Sequence, residues 1–535
     1  MKISLISIRD LTGVTSGEEP GLGAIASYMR RKGHEILVSV VDCMVLNMQE
    51  IVDFNPQIIG FTAYNMHKNE IIEISKLIKD KMPLVIICAG GPMPTYYYTE
   101  FLQEAKCIDF VVIGEGEITF LEVVNHIENN SFETCKKNID GIAYLQDGLI
   151  YKTNERKHSV DMDTLPYPSK DLLKKNKVKS AFINGSRGCL KRCTFCCSHD
   201  FWSLNGCNGW KSRKITSMVD EIEYIAKNHD IYSFLIPDNS FEDTGIEKVM
   251  DFAQDLICRK IDVSYWFSLR SETCKEFTSE DFHVLKKSGL VGVFLGIESG
   301  NSEDLKLYGK TATVQDNIQA IRLLTNNGLS INAGFININP YSTVAKLLKN
   351  ISFLHEHFDS LLVAGLNTHL RLYRGTRLND LFVKKGLFDG MFDAENYKFD
   401  VRNMDKFSEY IKKFSENIIV KHLNGAVSPQ RYRHTLENLK RRINESSVNE
   451  QINVMEQTIN NSIKEINDMV ATWYTKLVNT VDNWNNEHAG QITNEYFHYN
   501  LLMKYKNETA ASQNKLIMAL EKNTKEGSSI LRKYY

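Results

Sequence analysis

Short runs of β-forming apolar residues alternate with helical stripes in the first part of the chain, and this alternation constrains the fold most. The runs are residues 3–8, 36–41, 58–62, 84–88 and 110–113. A helical stripe separates the first two runs and is formed by Leu22, Ile25, Ala26 and Met29. Alternating strands and helices demand a parallel sheet covered by helices on both faces. The sequence therefore predicts a doubly wound α/β domain of flavodoxin or Rossmann type over residues 1–130.

A second block of alternation follows a connector. Residues 131–178 have weak periodicity, and a hairpin is expected there at Asp147-Gly148. Strand-like runs resume afterwards at residues 181–184, 232–236, 263–268, 291–297, 330–336 and 366–372. Each run is followed by a helical stretch, so the six units predict a partial (βα)6 TIM-like barrel over residues 179–400. Function is expected at the C-terminal ends of its strands.

The last part of the chain, residues 401–535, changes to long helical patterns. One apolar stripe runs through Ile452, Met455, Ile459, Ile463, Ile466, Val470, Trp473, Leu477 and Trp484. Amphipathic stripes are core faces in most globular proteins, which favours a helical C-terminal domain packed on the barrel. A helix bundle that binds a partner or delivers substrate is the alternative.

Composition excludes several classes of protein. Hydrophobic residues make up 43% and charged residues 24% of the 535, which is typical of globular proteins. A formal charge of -2 gives no electrostatic field for binding a nucleic acid. No apolar stretch reaches the ~18 residues that a membrane span needs, and the N-terminus lacks the pattern of a signal peptide. We therefore expect a cytoplasmic protein without a nucleic-acid or membrane partner.

The cysteines point to metal rather than to disulfides. The chain has 11, an odd number, and all lie at or before Cys274. Cys189, Cys193 and Cys196 form a Cys-x3-Cys-x2-Cys motif after the first predicted barrel strand. Three thiolates on one loop can each bind one iron of a 4Fe–4S cluster and leave the fourth iron open. The flanking cations, Arg187, Lys191 and Arg192, would offset the charge of the cluster.

An open iron suits one particular chemistry. It can accept the amino and carboxylate groups of a methionine moiety, and an electron passed into the adjacent sulfonium then yields a 5′-deoxyadenosyl radical. A zinc site is the alternative, with Cys197 or Cys207 as the fourth ligand, since thiolates also select zinc. The motif differs from the usual pair of Cys-x2-Cys knuckles, which favours the cluster.

The segment from residue 179 to residue 378 resembles the radical S-adenosylmethionine (SAM) superfamily. The resemblance places Phe195, the aromatic residue before the third cysteine, beside the adenine of SAM. It implies further SAM contacts at Asp238 after the second strand, at Arg270 after the third, and at the end of the fourth with Glu298, Ser299 and Gly300. A structural salt bridge is the alternative role for each of the three charged residues. As a SAM contact, the guanidinium of Arg270 would form a two-pronged ion pair with the SAM carboxylate.

Small residues end the strands of the first domain, where a doubly wound sheet binds its ligand. With the barrel behind it, this arrangement resembles the cobalamin-binding domain of cobalamin-dependent radical SAM proteins. The resemblance implies cobalamin contacts at Thr62, Tyr64, Gly90, Gly91, Pro92, Gly114 and Glu115. The motif that supplies a lower histidine ligand in other cobalamin proteins is absent. The alternative is a domain that has lost its cofactor and only shields the radical site.

The resemblance implies three cofactors, a 4Fe–4S cluster, SAM and cobalamin, and a methyltransferase acting on an unactivated carbon or phosphorus centre in biosynthesis. A cobalamin-dependent rearrangement, cyclisation or dehydrogenation without methyl transfer is the first alternative. A non-catalytic iron–sulfur sensor or scaffold is the second. The expected partners are a small-molecule or peptide substrate and an external electron donor such as flavodoxin or ferredoxin. No general acid or base can be assigned.

Overall fold

The structure of the protein is a computed structural model. The structure describes residues 1–8, 19–41, 47–157, 160–176, 180–242, 245–358, 361–418, 436 and 446–523. The predicted junction between connector and barrel, at residues 178 and 179, lies outside the described residues.

The first part of the chain folds into one sheet with helices on both faces. Its strands are β1 Lys2–Ile8, β2 Glu35–Val41, β3 Ile58–Thr62, β4 Ile86–Gly90, β5 Phe110–Val112, β6 Ile142–Gln146 and β7 Leu149–Lys152. Its helices are α1 Pro20–Arg31, α2 Met48–Phe54, α3 Lys68–Lys81, α4 Pro92–Glu104, α5 Glu117–Glu128 and α6 Phe132–Cys135. The strand order is β2-β1-β3-β4-β5-β6-β7, and the pairs up to β5 are parallel. This confirms the predicted doubly wound domain.

The predicted hairpin is present and belongs to this sheet. Asp147 and Gly148 connect β6 to β7 with φ angles of 52° and 77°, which match the right-handed twist of a hairpin. β6 pairs antiparallel with β5. The sheet therefore continues to Lys152, beyond the expected limit of the first domain at residue 130.

The central part forms a second, parallel sheet. Its strands are β8 Ser180–Phe182, β11 Ser233–Ile236, β12 Ser264–Arg270, β13 Leu290–Glu298 and β14 Ser330–Phe335, in spatial order β14-β13-β12-β11-β8. A separate antiparallel ribbon consists of β9 Ser186–Gly188 and β10 Trp210–Ser212. The helices are α7 Asp171–Asn176, α8 Ser198–Ser203, α9 Ile215–His229, α10 Ile246–Cys258, α11 Ser279–Ser288, α12 Ser302–Leu307, α13 Val314–Asn326, α14 Val344–His357, α15 Leu362–Leu366 and α16 Arg377–Lys384.

The sixth predicted barrel strand, residues 366–372, was wrong in its extent. Within the described residues its pairing is a single parallel bridge between Ile338 and His369, preceded by α15. Leu362, Val363 and Leu366 are buried in the same hydrophobic cluster as the C-terminal helices. Leu370 and Leu372, further along the predicted strand, are buried in a different cluster. The run is thus divided between two clusters, and this packing overrides the strand-like pattern.

The C-terminal part is helical, as the sequence predicted. It contains α17 Met404–Ile418, α18 Ser446–Val478, α19 Asn486–Tyr496 and α20 Tyr499–Asn523. All nine residues of the predicted apolar stripe are buried, and they share one hydrophobic cluster with the central sheet. The stripe is thus a core face, which favours the packed cap over a free partner-binding face.

Candidate functional site

The three motif cysteines lie on a loop that leaves the end of β9 and returns through β10. The backbone N–H of Cys189 donates to the carbonyl of Gly209 at 2.9 Å and closes the base of the loop. Gly188 has a φ of +89°, and a side chain there would collide with that same carbonyl. Only glycine fits this close approach. The ribbon therefore fixes the position of the first motif cysteine, Cys189.

The other side of the loop is tied to the barrel. Thr194 donates its N–H to the carbonyl of Tyr308 at 2.9 Å and its hydroxyl to the carbonyl of Leu307 at 2.6 Å. The N–H of Leu378 in turn donates to the carbonyl of Thr194 at 2.9 Å. The loop is therefore held at both ends by backbone hydrogen bonds, which leaves its thiols preorganised.

The donor set of this loop fits a 4Fe–4S cluster. Backbone N–H groups already point at two of the sulfurs, Lys191 at Cys189 Sγ at 3.4 Å and Ser198 at Cys196 Sγ at 3.5 Å. Such hydrogen bonds to sulfur also tune the potential of a cluster. Burial raises the pKa of the Cys196 thiol to about 12, and the neighbouring thiols add to this rise. A thiolate at this site therefore needs a positive charge close to it, which the iron of a cluster would supply.

In the zinc alternative, Cys197 or Cys207 would be the fourth ligand. In the part of the chain that the structure describes, no three Cys, His, Asp or Glu side chains converge to hold one metal ion. Cluster thiolates bind separate irons and need not converge in this way. Cys207 donates to the carbonyl of Trp202 at 2.6 Å, and Cys197 lines the cavity described next.

A cavity of about 500 Å³ lies between the first sheet and the cysteine loop. All seven residues predicted to contact cobalamin line it, namely Thr62, Tyr64, Gly90, Gly91, Pro92, Gly114 and Glu115. From the central part, Cys196 and Asp238 line it as well. The C-terminal edge of the first sheet and the cluster loop therefore line one shared cavity.

A buried group of charged side chains joins the first domain to the ribbon beside the cysteine loop. Arg187 donates to Glu115 and, at 2.6 Å, to Glu117, and Lys211 donates to Glu115 at 2.6 Å. Burial would raise the pKa of Glu117, but Arg187 holds that pKa below its ordinary value. Arg187 therefore pairs across the domains, and its guanidinium is not directed at the cluster as the sequence suggested. The carboxylate of Glu115 is likewise held by protein partners.

The loop that carries Glu115 has a second tie to the cluster region. Gly114, with φ +74°, has the side-chain oxygen of Asn205 2.7 Å from where a Cβ would lie. That oxygen accepts the N–H of Glu115 at 2.9 Å, and Thr95 accepts the N–H of Gly114 at 3.0 Å. Asn205 follows α8, far from Gly114 in sequence, and no sequence signal marked it.

Glu298 ends β13 in an uncommon backbone conformation. Its φ is +64°, the left-handed region that side chains other than glycine rarely adopt. Lys310 Nζ lies 3.6 Å from its carboxylate and donates to the carbonyl of Gly296 at 3.0 Å. Burial would lower the pKa of Lys310, but Glu298 and the nearby Cys193 thiol raise it above its ordinary value. A buried cation thus lies between the cluster loop and Glu298.

Lys310 is a residue that sequence reasoning missed. It follows Gly309 after α12 in a stretch without a recognised motif. Only the fold brings this lysine to Glu298 and Cys193.

Two other predicted SAM contacts are engaged by the protein itself. Asp238 accepts the N–H of Gly185 at 2.9 Å and the hydroxyl of Ser186 at 2.6 Å, and burial raises its pKa to about 6. The guanidinium of Arg270 lies 3.5 Å from Glu242, which also accepts the backbone N–H of Arg270 at 2.8 Å. These contacts agree with the structural role that was the alternative for both residues.

The remaining predicted SAM residues are Phe195, Ser299 and Gly300. The Phe195 ring packs edge-on against Tyr308 with 5.6 Å between centroids. Ser299 and Gly300 both donate to the side-chain oxygen of Asn350, at 3.0 and 2.9 Å. The end of β13 is therefore held by buried hydrogen bonds as well as by its own strand.

Two known families match this chain, and together they span both walls of the cavity. The B12 binding domain matches residues 11–124, and the radical SAM superfamily matches residues 183–354. The chain is a cobalamin-dependent radical SAM enzyme. Its cofactors are cobalamin, SAM and a 4Fe–4S cluster.

Similar proteins include enzymes with different reactions. The anaerobic magnesium-protoporphyrin IX monomethyl ester cyclase of Rubrivivax gelatinosus is 27% identical over 392 residues, which cover 70% of this chain and 67% of the cyclase. An uncharacterized methyltransferase of Pyrococcus horikoshii is 28% identical over 370 residues, 66% of this chain and 77% of the relative.

The fold is also similar to that of a solved enzyme. OxsB, a cobalamin-dependent S-adenosylmethionine radical enzyme solved with aqua-cobalamin and SAM bound, has a TM-score of 0.68 to this structure at 18% identity. The match covers 100% of this chain and 83% of OxsB, so the similarity in fold includes the C-terminal helices. Each helix in the described part of the chain is too short or too polar to span a lipid bilayer.

Proposed function

We propose that this enzyme methylates an unactivated carbon or phosphorus centre. The observation that carries the proposal is the cavity shared by the glycine loops and Cys196, which would bring a methyl carrier and a radical source to one substrate. The P. horikoshii relative, described as a methyltransferase, supports the same reaction. When bound, the cofactors supply hydrogen abstraction and a transferable methyl group.

The residues of the chain would hold and orient these groups. Cys189, Cys193 and Cys196 would ligate the cluster. The loops with Gly91 and Gly114 would let the backbone approach a large flat cofactor closely. Aromatic side chains of the cavity wall would exclude water from the radical, and these are Tyr64, Tyr167, Phe201 and Trp202.

We assign SAM to the end of β13. Glu298 would bind the ribose hydroxyls, and the turn through Ser299 and Gly300 would contact the rest of the nucleoside. Lys310 is buried between Glu298 and Cys193, where an anionic methionyl carboxylate would meet a cation. We prefer Lys310 to Arg270 because Lys310 lies beside both Glu298 and the motif residue Cys193, whereas Arg270 faces Glu242.

A second candidate is a radical cyclisation or rearrangement without methyl transfer. The R. gelatinosus relative is a cyclase and shares a similar proportion of this chain at nearly the same identity. The sensor alternative has no observation of this kind behind it.

Product analysis separates the two candidates. The anaerobically reconstituted enzyme is incubated with SAM and dithionite, and candidate substrates are added. A methylated product with equal amounts of S-adenosylhomocysteine and 5′-deoxyadenosine supports methyl transfer. Product with 5′-deoxyadenosine but no S-adenosylhomocysteine supports the second candidate and refutes the first. Iron, sulfide and cobalamin are quantified in the same sample, so that failed loading is recognised.

The substrate class, the electron donor, the cellular compartment and the domain limits are proposed on simpler grounds. A small-molecule or peptide substrate would fit the cavity between the first sheet and the cysteine loop, and an external donor such as flavodoxin or ferredoxin would supply the electron. We place the enzyme in the cytoplasm because its described cysteines form no disulfide bonds with one another, as expected in a reducing compartment. We retain the domain limits 1–130, 131–178, 179–400 and 401–535, with the hairpin of the connector counted with the first sheet.

A further inference from the structure

A chain of buried hydrogen bonds runs from the end of β13 to the long helix α18. Ser299 Oγ and the N–H of Gly300 donate to Asn350 Oδ1 at 3.0 and 2.9 Å. Asn350 Nδ2 donates to Asn337 Oδ1 at 3.3 Å, and Asn337 Nδ2 donates to the hydroxyl of Tyr474 at 2.8 Å. These hydrogen bonds connect five residues from four parts of the fold in one unbroken series, and we call this series the relay.

The three side chains that connect the turn to α18 are removed from water. Asn350 and Tyr474 are 0% exposed, and Asn337 is 1% exposed. Asn350 lies on α14, Asn337 follows β14, and Tyr474 lies on α18. A buried polar group that loses its partner pays its full desolvation penalty, so each amide is restricted to the orientation that satisfies its neighbours. Tyr474 therefore influences the orientation of Asn337, and through it that of Asn350.

The relay ends on a backbone turn that needs support. Glu298, one residue before Ser299, has a left-handed φ of +64°. Such conformations persist only where the surroundings fix them. Asn317 adds hydrogen bonds to the carbonyls of Ile297 and Ser299 at 3.1 and 3.2 Å. The turn is thus held from outside its own strand, and one of these supports originates in the C-terminal domain.

We propose that Tyr474 is a positioning residue for the SAM-binding turn, so that the C-terminal helical domain helps to set the affinity for SAM. The inference rests on the proposed SAM contacts at residues 298–300. The hydroxyl is the part that matters, because a phenylalanine would pack the same core equally well. The second hydrogen of Asn337 Nδ2 donates to the carbonyl of Leu366 at 2.8 Å and would persist without Tyr474.

The test compares two conservative variants that each delete one hydroxyl. Tyr474→Phe removes the end of the relay. Tyr410→Phe is the control, because the hydroxyl of the half-buried Tyr410 bonds within the C-terminal helices, to Thr493 at 2.7 Å and to the carbonyl of Ala489 at 3.2 Å, and lies outside the relay. Both proteins are reconstituted with cluster and cobalamin, and SAM cleavage to 5′-deoxyadenosine is measured with dithionite over a range of SAM concentrations.

We expect Tyr474→Phe to raise the KM for SAM roughly threefold to tenfold, as the loss of one buried hydrogen bond implies, with kcat nearly unchanged. Tyr410→Phe should leave KM unchanged. Equal KM values in the wild type and Tyr474→Phe, or an equal rise in both variants, would overturn the proposal. Failure of the wild type to bind or cleave SAM would instead refute the proposed function, so the two failures are distinguishable.

A double-mutant cycle tests whether the effect passes through Asn350. Asn350→Leu removes the acceptor of Ser299 and Gly300 and should weaken SAM binding more than Tyr474→Phe does. If the relay transmits the effect, adding Tyr474→Phe to Asn350→Leu produces no further loss of SAM affinity. Effects that multiply in the double variant would show two independent sites and contradict the relay.

Discussion

Replacing Arg187 by methionine should loosen the junction between the two walls of the cavity. Arg187 is largely buried and donates to Glu115 and Glu117, which belong to the other domain. Methionine keeps much of the apolar volume but leaves Glu117 without its cationic partner. We therefore expect lower thermal stability and weaker retention of cobalamin, measured by calorimetry and by the cobalamin content after gel filtration.

The size of the effect follows from burial. Removing one partner of a buried ion pair costs about 3–5 kcal/mol, and the lower end applies here because Glu115 keeps Lys211 at 2.6 Å. For a domain of about 150–250 residues, the size range of the central domain, 1 kcal/mol shifts the melting temperature by about 2–4 °C. A loss of about 3 kcal/mol therefore corresponds to roughly 6–12 °C. A more exposed group of charges offers the control, since Arg259→Met, which breaks contacts to Asp220 and Asp255, should cost about 1 kcal/mol.

The pH dependence has a definite sign. Arg187 holds the pKa of Glu117 below its ordinary value of 4.5, so the pair stabilises the fold fully above that pH. This contribution disappears as pH falls through the lower folded pKa. The stability difference between wild type and Arg187→Met should therefore be complete at pH 7 and shrink below about pH 4.5.

A compensating change makes the explanation refutable. Glu117→Gln in the Arg187→Met background removes the uncompensated charge and should recover part of the lost stability. If Arg187→Met melts at the wild-type temperature, or if Glu117→Gln brings no recovery, the charge pairing does not hold the two walls together.

Three further changes address the cofactors directly. Cys196→Ala should abolish the cluster absorbance and 5′-deoxyadenosine formation, whereas the exposed Cys258→Ser should change neither. Lys310→Met should raise the KM for SAM about tenfold or more, because it deletes a buried cation and strands a carboxylate, and Lys310→Arg should restore part of the affinity. Gly91→Val should weaken cobalamin binding in equilibrium dialysis with normal cluster content, because Gly91 has φ +112° and its Cβ would lie 3.1 Å from the Ala63 carbonyl; unchanged binding would contradict this.

The doubly wound domain was predictable because local patterns determine it. Apolar alternation located all five parallel strands, and the hairpin followed from Asp147-Gly148. The fourth strand begins two residues later than predicted, at Ile86, because Leu84 is 95% exposed. A hydrophobic residue just outside the sheet looks like a strand residue in the sequence, and only packing distinguishes the two.

The contacts that assemble the site were not predictable in this way. Glu115 was assigned to a cofactor from its glycine-rich loop, yet its carboxylate bonds to Arg187 and Lys211, which lie 72 and 96 residues away. Lys310 reaches Glu298 only because the chain after α12 returns to the strand end. No spacing rule encodes such pairs, since they depend on how the two sheets are placed against each other.

The cysteine motif illustrates the same division between local and long-range information. Its spacing is local and identified the cluster loop, but the loop takes its shape from Gly209 on the ribbon and from Tyr308 and Leu378 on the barrel. The ribbon is in turn held to the first domain by Arg187 between Glu115 and Glu117. The thiols and the cobalamin loops are therefore positioned by one shared set of contacts. A change at this junction should disturb both cofactors together, whereas a change in the motif itself should remove only the cluster.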